Sequence, residues 1–337
     1  MRAALALVVL LLAASSARAQ LLPDGDCAGV YWDLTAAFES GDRVYARVLV
    51  TRAGPTDRNA AGVGYWIAPD GTQTRFQNGR SEGDFELAEA GDRVRIGSTR
   101  LEIGDHTTVF EVDNDKRGVK LRLVLEATPR SATTPIFPGD PQVDLIGLGR
   151  HTTARVWHTG MAAPRELRGA ATLVRTRHAA CEVERSAQRV DVHALPPHGA
   201  SLLISEQLVG GAQRNWFGWR GEHGALRALR PESVALEAWQ HEAEGPPLPH
   251  QLRPERGALR GSIAIGAPHL SIDPLDALPR LVRMLYWFGA RPRRIWADAT
   301  SDLTASASEA LPRGAAIASF SFLRPPEPSL PPHDRGD

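Results

Sequence analysis

The sequence predicts an all-β protein, with antiparallel sheets rolled into a sandwich or barrel, and three observations carry that prediction. Short runs from Arg43 onward alternate apolar and polar residues, turn residues punctuate them at close intervals, and no helical pattern of about 10 to 15 residues separates successive runs. The last point excludes a doubly wound nucleotide fold, which needs a crossover helix after each strand.

Taken in order, the run beginning at Arg43 turns Val44, Ala46, Val48 and Val50 to one face and Tyr45, Arg47, Leu49 and Thr51 to the other. It breaks at Ala53 through Asn59 and resumes at Gly62-Val63-Gly64-Tyr65-Trp66-Ile67. Val119, Leu121, Leu123 and Leu125 repeat the alternation against Lys120 and Arg122. Turns are expected at Pro69-Asp70-Gly71, Gly91-Asp92, Gly97-Ser98, Gly104-Asp105 and Asp113 through Gly118. A Pro-rich connection from Thr128 to Pro141 separates these runs from a second series: Thr152–His158, Glu166–Arg175, Cys181–His193, Ala200–Val209, Arg214–Arg220, Ala225–Leu229, Ser233–Trp239 and Leu259–Ile265. One helix is expected near 277–288: Asp276 caps it, Pro279 sits in its first turn, and Leu278, Leu281, Val282, Leu285 and Phe288 form one apolar stripe that ends at Gly289. A final apolar run, Ala315 to Leu323, precedes a tail over 325–337 too rich in proline and charge to pack.

The amino terminus reads as a signal peptide over 1–19. Arg2 precedes the apolar run Ala3–Ala14, and Ala17-Arg18-Ala19 offers the small residues a signal peptidase requires. The run is shorter than the ~20 residues that cross a bilayer. The expectation is therefore a periplasmic or secreted protein, cleaved after Ala19, with no stable membrane span. The 39 basic and 39 acidic residues balance, and loss of Arg2 and Arg18 leaves 37 against 39, a formal charge of −2. That balance excludes a polyanion-binding footprint, and no nucleic-acid partner is expected. Roughly 318 mature residues exceed what one hydrophobic core usually serves, so two domains or two packed barrels are expected. Cys27 and Cys181 either form a single bridge, which an oxidising compartment permits, or stay as two buried thiols.

Asp33-Leu34 with Tyr45-Ala46-Arg47, then Thr51, Ala53 through Ala60, Pro69-Asp70-Gly71 and Arg75-Phe76-Gln77-Asn78-Gly79, resemble the lipocalin-like family of carotenoid 1,2-hydratases and their relatives. The match runs from Val30 to roughly Leu125. It implies two calycin-type (lipocalin-like) antiparallel β-barrels in tandem, placed at 24–195 and 196–324. The family's Gly-x-x-Tyr-x-Asp-His-x-Trp segment, whose Asp-His pair is thought to be the acid centre, corresponds to Gly169 through Ala180, with Val190-Asp191-Val192-His193 resembling the Trp-Asp-Trp that follows. His178 keeps the histidine, but Arg177 stands where the aspartate belongs and Ala180 replaces the tryptophan. Protonating an alkene needs a carboxylic acid in a dry pocket, and a guanidinium neither donates a proton at neutral pH nor tolerates a neighbouring carbocation. His178 and Asp191 are therefore the catalytic candidates the resemblance leaves, as acid and base.

Apolar strand faces either fill a barrel or line a space for one ligand. Trp66, Trp216, Trp219 and Trp239 are the ligand-binding candidates, because bulky amphipathic rings sit at cavity mouths. No metal is expected. His151 and His158 differ by an odd number on one strand, His241 and His250 lack His-Glu-x-x-His spacing, and the calcium-like start at Asp113 fails at Arg117 and Val124, so it reads as a hairpin turn. Arg47, Arg58 and Arg75 are expected to pair with Asp57 and Asp70 at turns rather than bind an anion. No Gly-x-Ser-x-Gly elbow, phosphate loop or dinucleotide fingerprint occurs. The expectation is a cofactor-free exported protein that binds an apolar molecule of terpenoid, carotenoid or fatty acyl type. The alternatives are a hydratase, cyclase or isomerase acting on a polyene, and a structural envelope protein with no ligand.

Overall fold

Alternating strands with one apolar face must bury that face, and here two curled antiparallel sheets do so, one after the other along the chain. The computed structural model describes residues 21–52, 58–126, 134–196, 199–220, 225–240, 247–255, 257–272, 293–305 and 311–322. The leader expected through Ala19, the helix expected near 277–288 and the Pro-rich tail expected over 325–337 lie outside the described residues.

The first sheet contains β1 (Gly29–Phe38), β2 (Arg43–Thr51), β3 (Asn59–Ile67), β4 (Gln73–Ser81), β5 (Phe85–Leu87), β6 (Arg93–Ile96), β7 (Thr99–Ile103), β8 (Thr107–Asn114), β9 (Val119–Glu126), β10 (Thr134–Phe137), β11 (Gln142–His158) and β12 (Arg165–His178). Their order is β4-β3-β2-β1-β12-β11-β9-β8-β7-β6-β5, and β10 pairs with β11 beyond the end of β9. The sheet curls until its margins meet through side chains: Asn78 Nδ2 donates to Thr99 Oγ1 at 2.6 Å, and the rings of Phe76 and Phe110 lie 5.9 Å apart. Gly62 permits this closure, since a Cβ there would stand 2.7 Å from the Thr99 methyl. The enclosed core is the alternating face read from the sequence: Val30, Trp32 and Leu34 from β1, Val44, Val48 and Val50 from β2, Leu121, Leu123 and Leu125 from β9. Each such side chain contributes about 1.5–3 kcal/mol by leaving water.

The second sheet contains β13 (Ser186–Ala194), β14 (Ala200–Leu208), β15 (Gln213–Arg220), β16 (Arg227–Leu229), β17 (Val234–Gln240), β18 (Leu248–Pro254), β19 (Leu259–Ile272), β20 (Arg293–Ala305) and β21 (Gly314–Phe322). Its order is β16-β15-β14-β13-β21-β20-β19-β18-β17. It also curls, and Gln213 joins its margins by donating to the Val234 carbonyl at 2.9 Å and accepting from the Val234 N–H at 3.1 Å. Val192, Leu203, Phe217, Leu252, Ile263, Ala318 and Phe320 fill its interior.

Several expectations need correction. The passage between sheets falls at residues 179–185, so β13, grouped by the sequence with the first barrel, belongs to the second sheet. The run Cys181–His193 divides, because Glu182–Arg185 is one helical turn ahead of β13. The Thr128–Pro141 connection does not separate two strand sets; β11 and β12 return beside β1. Arg47 pairs with Asp33, Arg58 approaches Glu82 and Arg75 donates to Gln77, whereas Asp70 holds its own turn by accepting from the Thr72 N–H. The Asp113 region is the hairpin turn expected: Asn114 Oδ1 accepts from the Arg117 N–H and Gly118 takes a left-handed φ of 60°. Cys27 and Cys181 are bonded across a sequence separation of 154, which pins the connection between sheets to the start of β1.

Candidate functional site

The two barrels pack through their outer faces, so the second face of β1, β2 and β12 is buried as well. Tyr45 illustrates this: it stands on the polar side of β2, yet only 2% of it is exposed. Two apolar patches flank the junction. In one, Ile136, Phe137, Val143 and Val174 meet Leu202, Ile204 and Trp216; in the other, Tyr45 and Ile67 meet Leu270, Trp296 and Ile317.

Between these patches runs a seam of buried polar groups set by period-two alternation. β1 presents Tyr31 and Asp33, β12 presents Thr172 and Thr176, and β13 presents Arg189, Asp191 and His193, while immediate neighbours such as Trp32, Leu173 and Val192 face the cores. Asp33 takes both Arg47 from β2, at 2.7 and 2.8 Å, and Arg294 from β20, at 2.7 Å. Burial pushes the Asp33 carboxyl up, but Arg294 and Arg47 outweigh it and hold it well below the usual carboxylate range. Arg189 is bonded to Asp191 at 2.7 Å and to Thr176 Oγ1 at 3.1 Å. At one end of the seam Tyr31 donates to Glu182, and the Arg47 guanidinium lies 4.1 Å over its ring.

At the other end the barrels part around a cavity of about 710 Å³. Ala37, Phe38 and Ala170 from the first barrel and Ala299, Ala316 and Ile317 from the second form its apolar wall. Arg43 and Asp298, paired at 2.5 Å, stand at its polar side with Glu39 and His151. His193 reaches the cavity from the seam and is 3% exposed. Its Nδ1 lies 2.7 Å from Thr172 Oγ1, and its buried Nε2 has no hydrogen-bond partner among the described residues.

Burial pushes the His193 imidazole down to about 4 against the pull of Asp191, and the Arg294 and Arg189 charges assist. His193 is therefore neutral in the folded protein at pH 7. The unfolded chain takes up the proton near pH 6.5, so this contribution to stability is complete above that pH. It declines as pH falls toward about 4, where the folded form also protonates. At ~1.4 kcal/mol per unit the span is worth roughly 3 kcal/mol. Urea unfolding between pH 7 and 4 should show the decline, and His193→Gln should flatten it. His269, lowered to about 4 by burial and then by Arg43, supplies a residual slope. An unchanged slope in His193→Gln would refute the assignment.

The residues picked from the sequence are not brought together. His178 sits at the end of β12, with Nδ1 2.9 Å from the Ala180 carbonyl and the Tyr31 ring 6.0 Å away. Asp191 lies within the seam, bound to Arg189. Trp66 belongs to the first core and donates to Asp42 at 2.8 Å, while Trp219 belongs to the second core, stacked on Phe217. Trp216 fills a junction patch, and Trp239, 41% exposed on the margin strand β17, donates to its own Leu236 carbonyl. None of the four lines the cavity. Sequence alone marks Asp33 only through the resemblance and gives no sign of a site role for Thr172 or Arg294, whereas Arg189, Asp191 and His193 at alternate positions beside apolar Val190 and Val192 form a legible signal.

No protein-family model and no curated protein matches the chain. Solved structures do. An ATTH-type protein from Nitrosomonas europaea superimposes with a TM-score of 0.61 at 12% identity, covering 89% of this chain and 93% of that one. The lipocalin-like double-barrel fold is thereby established. CghA determined with Sch210972 gives a TM-score of 0.59 at 14% identity, and CghA alone 0.56 at 13%, each covering 90% of both chains. In this lipocalin-like pair the barrel interiors carry the packed cores, and the cavity with His193 lies between the barrels. No described helix is long and apolar enough to cross a membrane.

Proposed function

We propose that this is an exported binding protein for an apolar molecule of terpenoid, carotenoid or fatty acyl type, held between the two barrels with one polar group on His193. The observation that carries the reading is the inter-barrel cavity: about 710 Å³, walled by alanines, Phe38 and Ile317, with a neutral buried imidazole nitrogen left unbonded. That volume falls within the range of small-molecule sites, and one aimed polar atom in an apolar wall fixes a ligand's orientation. The similar fold of CghA, determined with the small molecule Sch210972, is in keeping with such use. The Cys27–Cys181 bond supports export to an oxidising compartment.

Binding is favoured over polyene hydration on the chemistry of the seam. Alkene protonation needs a neutral carboxylic acid, whereas Asp33 and Asp191 are both held by guanidinium groups, and Arg177 occupies the position the hydratase resemblance assigns to the acid. The resemblance to carotenoid 1,2-hydratases thus enters this proposal through the shape of the molecule rather than through its reaction.

The test is extraction of the protein purified from its native envelope, followed by mass spectrometry. A co-purifying apolar molecule near one per chain is the expected result. Nile red should bind the emptied protein, and Ala37→Leu, which narrows the cavity, should weaken it at least tenfold. A clean extract together with Nile red binding indifferent to Ala37→Leu would overturn the proposal.

A further inference from the structure

The far end of the first barrel holds cationic charge that the fold does not balance. On the inner face of β12, Arg175 and Arg177 follow Ala171 and Leu173 of the core. Strand register places Arg175 between Trp32 and Asp144, and Arg177 between Val30 and Gln142. Asp144, buried with 3% of its side chain exposed, is already engaged: Arg175 donates to Oδ2 at 3.0 and 3.3 Å, and Gln142 to Oδ1 at 3.1 Å. Arg177 reaches it only at 3.8 Å, beyond hydrogen-bond distance, with 14% of its side chain exposed. The Nε of Arg177 and the indole Nε1 of Trp32, a residue 1% exposed, are buried donors with no partner among the described residues. Across the same row, Ala60 lies opposite Arg80, an exposed residue that donates to the adjacent Gly79 carbonyl at 2.6 Å. Two guanidinium groups, those of Arg175 and Arg177, thus share the Asp144 carboxylate.

A half-buried cation whose counterion is already hydrogen-bonded elsewhere is poorly compensated unless something further binds it. Burial, and then the Arg175 charge, push the Arg177 guanidinium down despite Asp144. The unused edge of a guanidinium presents two parallel N–H donors that match a carboxylate.

We propose that this rim of the first barrel binds the carboxylate of a small organic acid, with Arg177 as its principal partner and the Trp32 indole N–H as a second donor. The site lies roughly 23 Å along β12 from Ala170 at the inter-barrel cavity, at ~3.3 Å per residue, so it is separate from that cavity and independent of the carrier reading.

Titration of the disulfide-intact protein with octanoate, and with octanol as its uncharged twin, tests this. Octanoate should bind at least tenfold more tightly than octanol and should shift the Trp32 indole N–H resonance. Arg177→Gln should lower octanoate affinity at least tenfold with no loss in Tm, because it removes an unmatched charge, and Arg177→Lys should retain an intermediate affinity. Arg177→Gln should leave Nile red binding unchanged, which separates this site from the cavity. Equal binding of octanoate and octanol, octanoate affinity indifferent to Arg177→Gln, tighter binding of inorganic phosphate than of octanoate, or failure of Arg177→Gln to fold would each overturn the proposal.

Discussion

Asp33→Ala is expected to lower the free energy of unfolding by roughly 3–5 kcal/mol, the usual cost of removing one member of a buried charge cluster. Asp33 is 7% exposed and joins Arg47 of its own sheet to Arg294 of the other, so its loss leaves two guanidinium groups facing each other without a counterion. Because Arg294 is the element of this cluster that crosses the junction, the damage should fall on barrel docking as well as on global stability. Asp33→Asn should behave nearly as badly, since an amide occupies the same volume but supplies no charge. Urea unfolding of both variants measures the effect. A shift below about 1 kcal/mol in each would mean that water compensates the arginines and that the seam does not hold the barrels together.

Replacing Cys27 and Cys181 by serine should cost about 2–5 kcal/mol. The bond closes a loop whose ends are 154 residues apart, and the entropy it removes from the unfolded chain grows with that length. A local effect adds to this. Cys181 precedes Glu182, the acceptor for the buried Tyr31 hydroxyl, so freeing the connection loosens that contact too. Denaturant curves of the oxidised protein, the reduced protein and the double serine variant should place the last two together and well below the first. Coincidence of all three curves would show that the connection between sheets is held without the bond.

The strands were legible because alternation is a direct imprint of a sheet with one buried face. Val44 through Val50 and Leu121 through Leu125 point inward as their spacing requires. The junction was not legible in the same way. Tyr45, Arg47 and Thr172 occupy positions that a solvent-facing side would accept equally well, and only the docking of a second barrel, distant in sequence, buries them. Cross-barrel partners such as Asp33 and Arg294 leave no local periodic trace. Tryptophans do not mark the site for a physical reason: a large amphipathic ring fills a core as readily as it rims a cavity, and Trp66 and Trp219 do the former. The cavity wall is instead built from alanines, whose small size creates the space and whose abundance hides them.

In each barrel the earliest long strand lies beside the latest: Gly29 of β1 faces His178 of β12, and Gln188 of β13 faces Phe322 of β21. Such pairing of distant segments is slow, because the intervening chain must first be gathered at an entropic cost. Neither enclosure can be sealed before its closing strand emerges, β12 for the first sheet and β21 for the second. A nascent chain must therefore carry an open second sheet until β21 is made, and a deletion that removes only β21 should leave β13 and β20 without their common neighbour.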